Sequence, residues 1–146
     1  MKKIIPTLLF ILMGFQLISA QEWLNDFEIA KKIAVENDRP IVLVFAGSDW
    51  CIPCIKLERQ ILHTEEFKTY AKDHYVLLKA DFPRKRKNQL PQDIQRQNAS
   101  LAEEYNRSGG FPMVVVLDKT GQKLGEIGYE KVTPSAYIES LNTLIK

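Results

Sequence analysis

Apolar residues gather in three runs: Ile41-Val42-Leu43-Val44-Phe45-Ala46, Tyr75-Val76-Leu77-Leu78-Lys79-Ala80 and Met113-Val114-Val115-Val116-Leu117. Short runs without polar alternation predict strands covered on both faces. Asp118-Lys119-Thr120-Gly121 reads as a turn, and Gln122 to Gly128 as a hairpin partner of the third run. The intervening segments carry helical spacing. The first opens at Asn25, an N-cap with Glu28 three residues on, and places Phe27, Ala30, Ile33 and Ala34 on one face. Pro40 ends it, because the residue before a proline is disfavoured in helix. Further helices are predicted from the cysteine pair to about Leu62, from Thr64 to Lys72, and from Gln92 to Asn106. The fourth would bury Ile94, Leu101, Ala102 and Tyr105 before Ser108-Gly109-Gly110 stops it. Thr133 and Pro134 open a last helix to Ile145, with Tyr137, Ile138, Leu141, Leu144 and Ile145 as its apolar stripe. The order α-β-α-α-β-α-β-β-α predicts an α/β fold, a four-stranded mixed sheet with helices on both faces.

The first twenty residues read as an address. Lys2 and Lys3 precede an almost wholly apolar stretch, Ile4 to Ile18, and Ser19-Ala20 supplies small residues for cleavage after Ala20. The rival reading is an uncleaved anchor, but Pro6 interrupts a run already short of the roughly 20 residues a span needs. Residues 21–146 then form one domain with a sizeable core. The chain has 20 basic and 18 acidic residues, and Lys2 and Lys3 are the whole surplus. Without the leader it is near neutral, so nothing global calls for nucleic acid or an anionic membrane. No cofactor motif is present, and a monomer is expected.

Chemistry concentrates at Trp50-Cys51-Ile52-Pro53-Cys54, directly after the first strand and a Gly47-Ser48-Asp49 turn. These are the only two cysteines. At this spacing in the first turn of a helix the two sulfurs can reach bonding geometry. The unpaired N–H groups and partial positive charge of the helix start favour a thiolate at Cys51. A thiolate beside a second thiol is the minimum equipment for disulfide exchange, and an exported chain works where disulfides persist. So small a loop is a poor structural staple. A metal site fits badly: His63 and His74 stand outside the usual His-x₃₋₅-His spacing, and there is no second cysteine pair.

This pattern, with Gly110-Phe111-Pro112 before the third strand, resembles the thioredoxin superfamily over roughly residues 23–146. The stretch Ser48 to Glu58 is similar to exported members, among them the C-terminal domain of the membrane electron carrier that supplies reducing equivalents to the bacterial periplasm. The resemblance implies an exported thiol–disulfide oxidoreductase that reduces or isomerises client disulfides. Its partners would be client proteins with disulfides or thiols, and a membrane thiol carrier as electron donor. Cys51 would be the exposed nucleophile and Cys54 the buried resolving thiol. Pro112 would be a cis-proline facing them, and Phe111 would pair its backbone with an extended substrate segment. Trp50 would shield the disulfide, unless it is plain core packing.

One departure stands out. Many relatives bury an aspartate behind the second cysteine; here Val44 or Phe45 occupies the place, depending on where the one-residue lengthening at Gly47-Ser48 is aligned. Neither accepts a proton. Glu58, one turn beyond Cys54, could serve instead as the catalytic proton acceptor, or it is a surface glutamate paired with a lysine. Lys56 either adds positive potential near Cys51 or is a plain exposed lysine. Ile52-Pro53 offers no charge and no side-chain donor, which favours a reductant or isomerase over a strong oxidant. Arg84-Lys85-Arg86-Lys87, in a polar loop over residues 82–91, reads as a solvated tip or as a docking patch for an acidic partner. Asn98-Ala99-Ser100 is a glycosylation sequon inside a predicted helix. A non-catalytic module that holds extended segments is the other class of function the motif permits.

Overall fold

The first apolar run forms the middle of the molecule. In the computed structural model, which describes residues 22–146, β1 (Ile41–Ala46) is buried at every position. The leader, its cleavage site and the rival anchor at residues 1–20 lie outside the described residues. β1 pairs in parallel with β2 (Val76–Asp81) and antiparallel with β3 (Met113–Leu117), which in turn pairs antiparallel with β4 (Lys123–Ile127). The sheet order is β2-β1-β3-β4. Helices α1 (Phe27–Asn37), α2 (Ile52–Leu57), α3 (Glu65–His74), α4 (Gln92–Tyr105) and α5 (Pro134–Leu144) complete the α/β fold expected from the pattern.

Alternation along the strands divides the core in two. Val42, Val44 and Ala46 face one side with Leu77, Val114 and Val116, where α2, α3 and α5 cover them. Ile41, Leu43 and Phe45 face the other with Val76, Leu78, Ala80, Val115 and Leu117, under Ala30 and Ala34 of α1 and Leu101 and Tyr105 of α4. Two covered faces explain why β1 has no polar alternation. Each fully buried Leu, Ile, Val or Phe contributes roughly 1.5–3 kcal/mol. Parity along β1 also settles the open alignment. Val44 shares a cluster with Cys54, whereas Phe45 belongs to the opposite face.

Several boundaries differ from the sequence expectation. Asp26, not Asn25, caps α1, its carboxylate accepting the Ile29 N–H at 3.0 Å. The cause is Leu24, which bridges Leu78 on the sheet edge and keeps the chain extended one residue longer. The cysteine helix does reach Leu62, but Glu58–Leu62 is a π segment in which the His63 N–H meets the Glu58 carbonyl at 2.8 Å. The wider turn leaves Leu57, Ile61 and Leu62 all buried. α3 runs two residues past Lys72, and loop 82–91 contains one 3-10 turn, Arg86–Asn88.

Sheet order brings the chemistry together. Because β1 and β3 are antiparallel and Phe45 pairs with Met113, the exit of β1 lies beside the entry of β3. Cys51 follows that exit and Pro112 precedes that entry.

Candidate functional site

Beyond Ala46 the chain turns sharply. The N–H groups of Trp50 and Cys51 both donate to the Gly47 carbonyl, at 3.2 and 2.8 Å. Asp81, at the end of β2 beside Ala46, holds the turn from outside: its carboxylate accepts the Ser48 N–H at 2.9 Å and the Ser48 hydroxyl at 2.5 Å. Gly47 has a steric reason to be glycine, since a Cβ there would lie 2.3 Å from the Trp50 ring. Cys51 is then the N-cap of α2, and its sulfur accepts the Cys54 N–H at 3.3 Å. That contact places the sulfur where the helix start presents donors and partial positive charge. Pro53 in the first turn supplies none.

Cys51 and Cys54 are joined as a disulfide, their Cα atoms 5.2 Å apart. The expected contrast between an exposed Cys51 and a buried Cys54 needs correction. They are 4% and 2% exposed, so both are covered in the disulfide form. Aromatic rings account for part of this cover. Trp50 and Phe111 pack against the cluster containing both cysteines, with ring centroids 5.5 Å apart in an edge-to-face arrangement. Phe82 stands 5.5 Å from Phe111 in the same manner. The Phe111-Pro112 bond is cis and Pro112 is buried. Exposed apolar surface does exist beside the disulfide, at Ile52 and Ile55.

Trp50 is braced rather than merely packed. Its indole N–H donates to the Phe82 carbonyl at 2.8 Å, and the Arg84 guanidinium lies 3.8 Å from its ring centroid. Asp49, the preceding residue, accepts the backbone N–H groups of Arg84 and Lys85 and the Asn88 amide, each at 2.9 Å. The Arg84 N–H, then the Asn88 amide, hold the Asp49 carboxyl below its ordinary pKa. The basic loop is therefore tied to the residues immediately before Cys51. Sequence reasoning missed this attachment, because its partners are more than thirty positions apart.

Glu58 is half-buried and forms an ion pair with Lys79 of β2. Lys79 is the register partner of Val44, so the pair lies on the face of the sheet that carries Cys54. Lys79 was not singled out from the sequence. A lone charge inside an otherwise apolar strand was the signal that could have found it. Lys56, His63 and His74 are exposed. Asn98 of the sequon is 1% exposed, and its amide donates to the Asp81 carbonyl at 3.1 Å, which ties α4 to the end of β2.

Comparison with known proteins agrees with this geometry. The disulfide bond reductase DsbH of Chlamydia pneumoniae is 37% identical over 111 residues, which cover 76% of this chain and 65% of that protein. The chain thus spans just under two thirds of that relative's length. A solved structure of a DsbH oxidoreductase superposes with a TM-score of 0.79 at 33% identity, covering 87% of this chain and 85% of the other. The oxidised C-terminal domain of Neisseria meningitidis DsbD shares the fold, with a TM-score of 0.54 at 21% identity and coverage of 80% and 90%. The model of a family described as thioredoxin-like matches residues 22–119, a stretch from before α1 into the turn after β3 that holds both cysteines and Pro112. On that match the chain belongs to the thioredoxin-like family.

Proposed function

We propose that the chain is an exported thiol–disulfide oxidoreductase that reduces or isomerises disulfides in client proteins. The observation that carries this reading is the Cys51–Cys54 disulfide at the start of α2, with the Cys51 sulfur accepting a backbone N–H. In the reduced protein the Cys51 thiolate attacks one sulfur of a client disulfide. An S–S bond forms to Cys51 as the client's own bond breaks, and the client's second sulfur leaves as a thiolate that takes up a proton. Cys54, deprotonated, then attacks the Cys51 sulfur, which releases the client as a dithiol and closes the Cys51–Cys54 disulfide. Two electrons pass from protein to client. An electron donor, in this reading a membrane thiol carrier, must return them.

Glu58 takes the Cys54 proton in this scheme, with Lys79 fixing its carboxylate beside α2. What supports the role is position: one turn past Cys54, half-buried, with Val44 in place of any acidic group behind that cysteine. Trp50 and Phe111 wall the site, and the Phe111 backbone at the cis-proline receives an extended client segment. The neutral Ile52-Pro53 pair leaves activation of Cys51 to the helix start, which favours reduction over oxidation. DsbH, a relative described as a reductase, favours the same direction. The apolar leader with its two lysines supports an extracytoplasmic location.

Insulin reduction by the chain and by its Cys51→Ser variant tests the reading. Turnover is expected to vanish in the variant, and equal rates for both would instead favour a holding module. Glu58→Gln should slow release from the mixed disulfide by about tenfold and shift its pH profile. A reduction potential near that of thioredoxin, measured against a dithiothreitol buffer, is expected; one far more positive would identify an oxidant.

A further inference from the structure

Four consecutive cations, Arg84, Lys85, Arg86 and Lys87, are exposed in the loop between β2 and α4. Sequence alone leaves such a loop either a solvated tip or a docking patch. The structure gives it an address instead. Asp49 binds the N–H groups of Arg84 and Lys85, Arg84 lies over Trp50, and Trp50 donates to Phe82. Asp49 and Trp50 are the two residues before Cys51, so the loop that carries the cations is fastened at the approach to the disulfide. The nearby carboxylates are already engaged: Asp49 with the loop and Asp81 with Ser48. These donors are uncharged and cancel neither carboxylate, but the four cations outnumber the two. Exposed Ile52 and Ile55 follow Cys51 on α2 and offer apolar contact beside the basic rim.

We propose that this loop is a docking surface that selects polypeptide segments carrying acidic residues beside the reacting cysteine. The proposal rests on the oxidoreductase reading and names the class of partner it uses. Charge of one sign at a reactive rim raises encounter rates with opposite charge, and salt screens the effect over about 8 Å at physiological ionic strength. A polypeptide suits the site better than a lipid surface. The loop carrying the cations is fastened to the residues that lead into the disulfide, and no apolar residue is interleaved among the four.

The test uses the reduced full chain and three synthetic peptides, each with one intramolecular disulfide of the same core sequence, flanked by four aspartates, four lysines or four serines. Second-order exchange rates are followed by the fluorescence of the protein. At low ionic strength the aspartate peptide is expected to react on the order of tenfold faster than the lysine peptide. That ratio should approach one in 0.5 M salt (about 4 Å of screening), and also in the triple variant Lys85→Gln, Arg86→Gln, Lys87→Gln. Exchange with all three peptides at equal rates would overturn the docking surface and leave the oxidoreductase standing. A preference that survives in the triple variant would overturn it too. No exchange with any peptide would overturn the oxidoreductase reading, and the docking surface with it. Equal peptide rates together with sedimentation on phosphatidylglycerol vesicles, lost in the triple variant, would assign the loop to a lipid surface instead.

Discussion

Two turns at opposite ends of the β1–β3 pair each carry a hydrogen-bonded aspartate, and they are built in different ways. Asp118, where β3 finishes, accepts the Thr120 N–H at 2.8 Å, the Thr120 hydroxyl at 2.7 Å and the Gln122 N–H at 2.9 Å. All of its partners lie within four residues, and Gly121 supplies the positive φ the turn requires. Asp49, where β1 has finished, also gathers three donors, but they come from Arg84, Lys85 and Asn88. The aspartate of the first turn binds only within that turn, although Tyr105 also donates to the Gly121 carbonyl and Lys119 pairs with Asp38. The second has local bonds to the Gly47 carbonyl, but Asp49 and Ser48 find their other partners on β2 and the loop after it. The end that carries the cysteines is thus built from pieces distant in sequence. That arrangement fastens one exposed loop to the residues that lead into the disulfide.

The severest way to break this comparison is at Gly47. An alanine Cβ would meet the Trp50 ring at 2.3 Å, and the ring cannot yield without leaving Phe82, Phe111 and Arg84. Gly47→Ala is expected to lower the disulfide-exchange rate on the order of tenfold by misplacing the wall of the site. The Trp50 indole N–H resonance should move in parallel. Unchanged rate and resonance would mean that Trp50 is not braced as described.

Next in size is the turn whose aspartate binds only within it. Asp118→Ala removes three hydrogen bonds to a carboxylate that faces solvent, so its cost should be about 1 kcal/mol rather than the sum of three bonds. Chemical denaturation measures it. Asp49→Ala should leave the denaturation midpoint near that of the unmodified chain, while amide hydrogen exchange at Arg84 and Lys85 accelerates. A loop that stays protected after Asp49→Ala would show that Arg84 and Trp50 hold it unaided.

The same local-versus-distant distinction governs what the sequence discloses. The three buried strands are legible because Val, Ile and Leu runs need no partner to be recognised, and Thr64 and Thr133 announce their helices by capping chemistry within three residues. The Cys51–Cys54 pair is legible for the same reason, as a short motif beside a strand, whereas the cis bond before Pro112 is implied only by the family resemblance. The cap of α1 was read one residue early because Leu24 is held by Leu78, far along the chain. Glu58 could be nominated, but its pairing with Lys79 depends on the β1–β2 register. Whether Val44 or Phe45 backs Cys54 was undecidable until strand parity assigned each residue a face. The basic loop reads either as a solvated tip or as a docking patch, because nothing near it in sequence names Asp49 as its anchor.

Acid provides the mildest contrast between the two turns. Both carboxyls are held below their ordinary value of 3.8, Asp49 first by the Arg84 N–H and Asp118 first by the Thr120 hydroxyl. A folded-state pKa depressed below the unfolded one gives stability that is complete above the unfolded value, about 3.9, and lost as pH falls through the folded value. Neither turn should therefore change between neutrality and pH 5. Below pH 4 the amide shifts of Arg84 and Lys85 should titrate with an apparent pKa under 3.8, and those of Thr120 and Gln122 should do likewise. Asp49→Asn should abolish the first titration and leave the second, because each set of donors answers to its own carboxylate. If Arg84 and Lys85 still titrated in that variant, or did so in the unmodified chain at or above 3.9, Asp49 would not be what fastens the loop to the site.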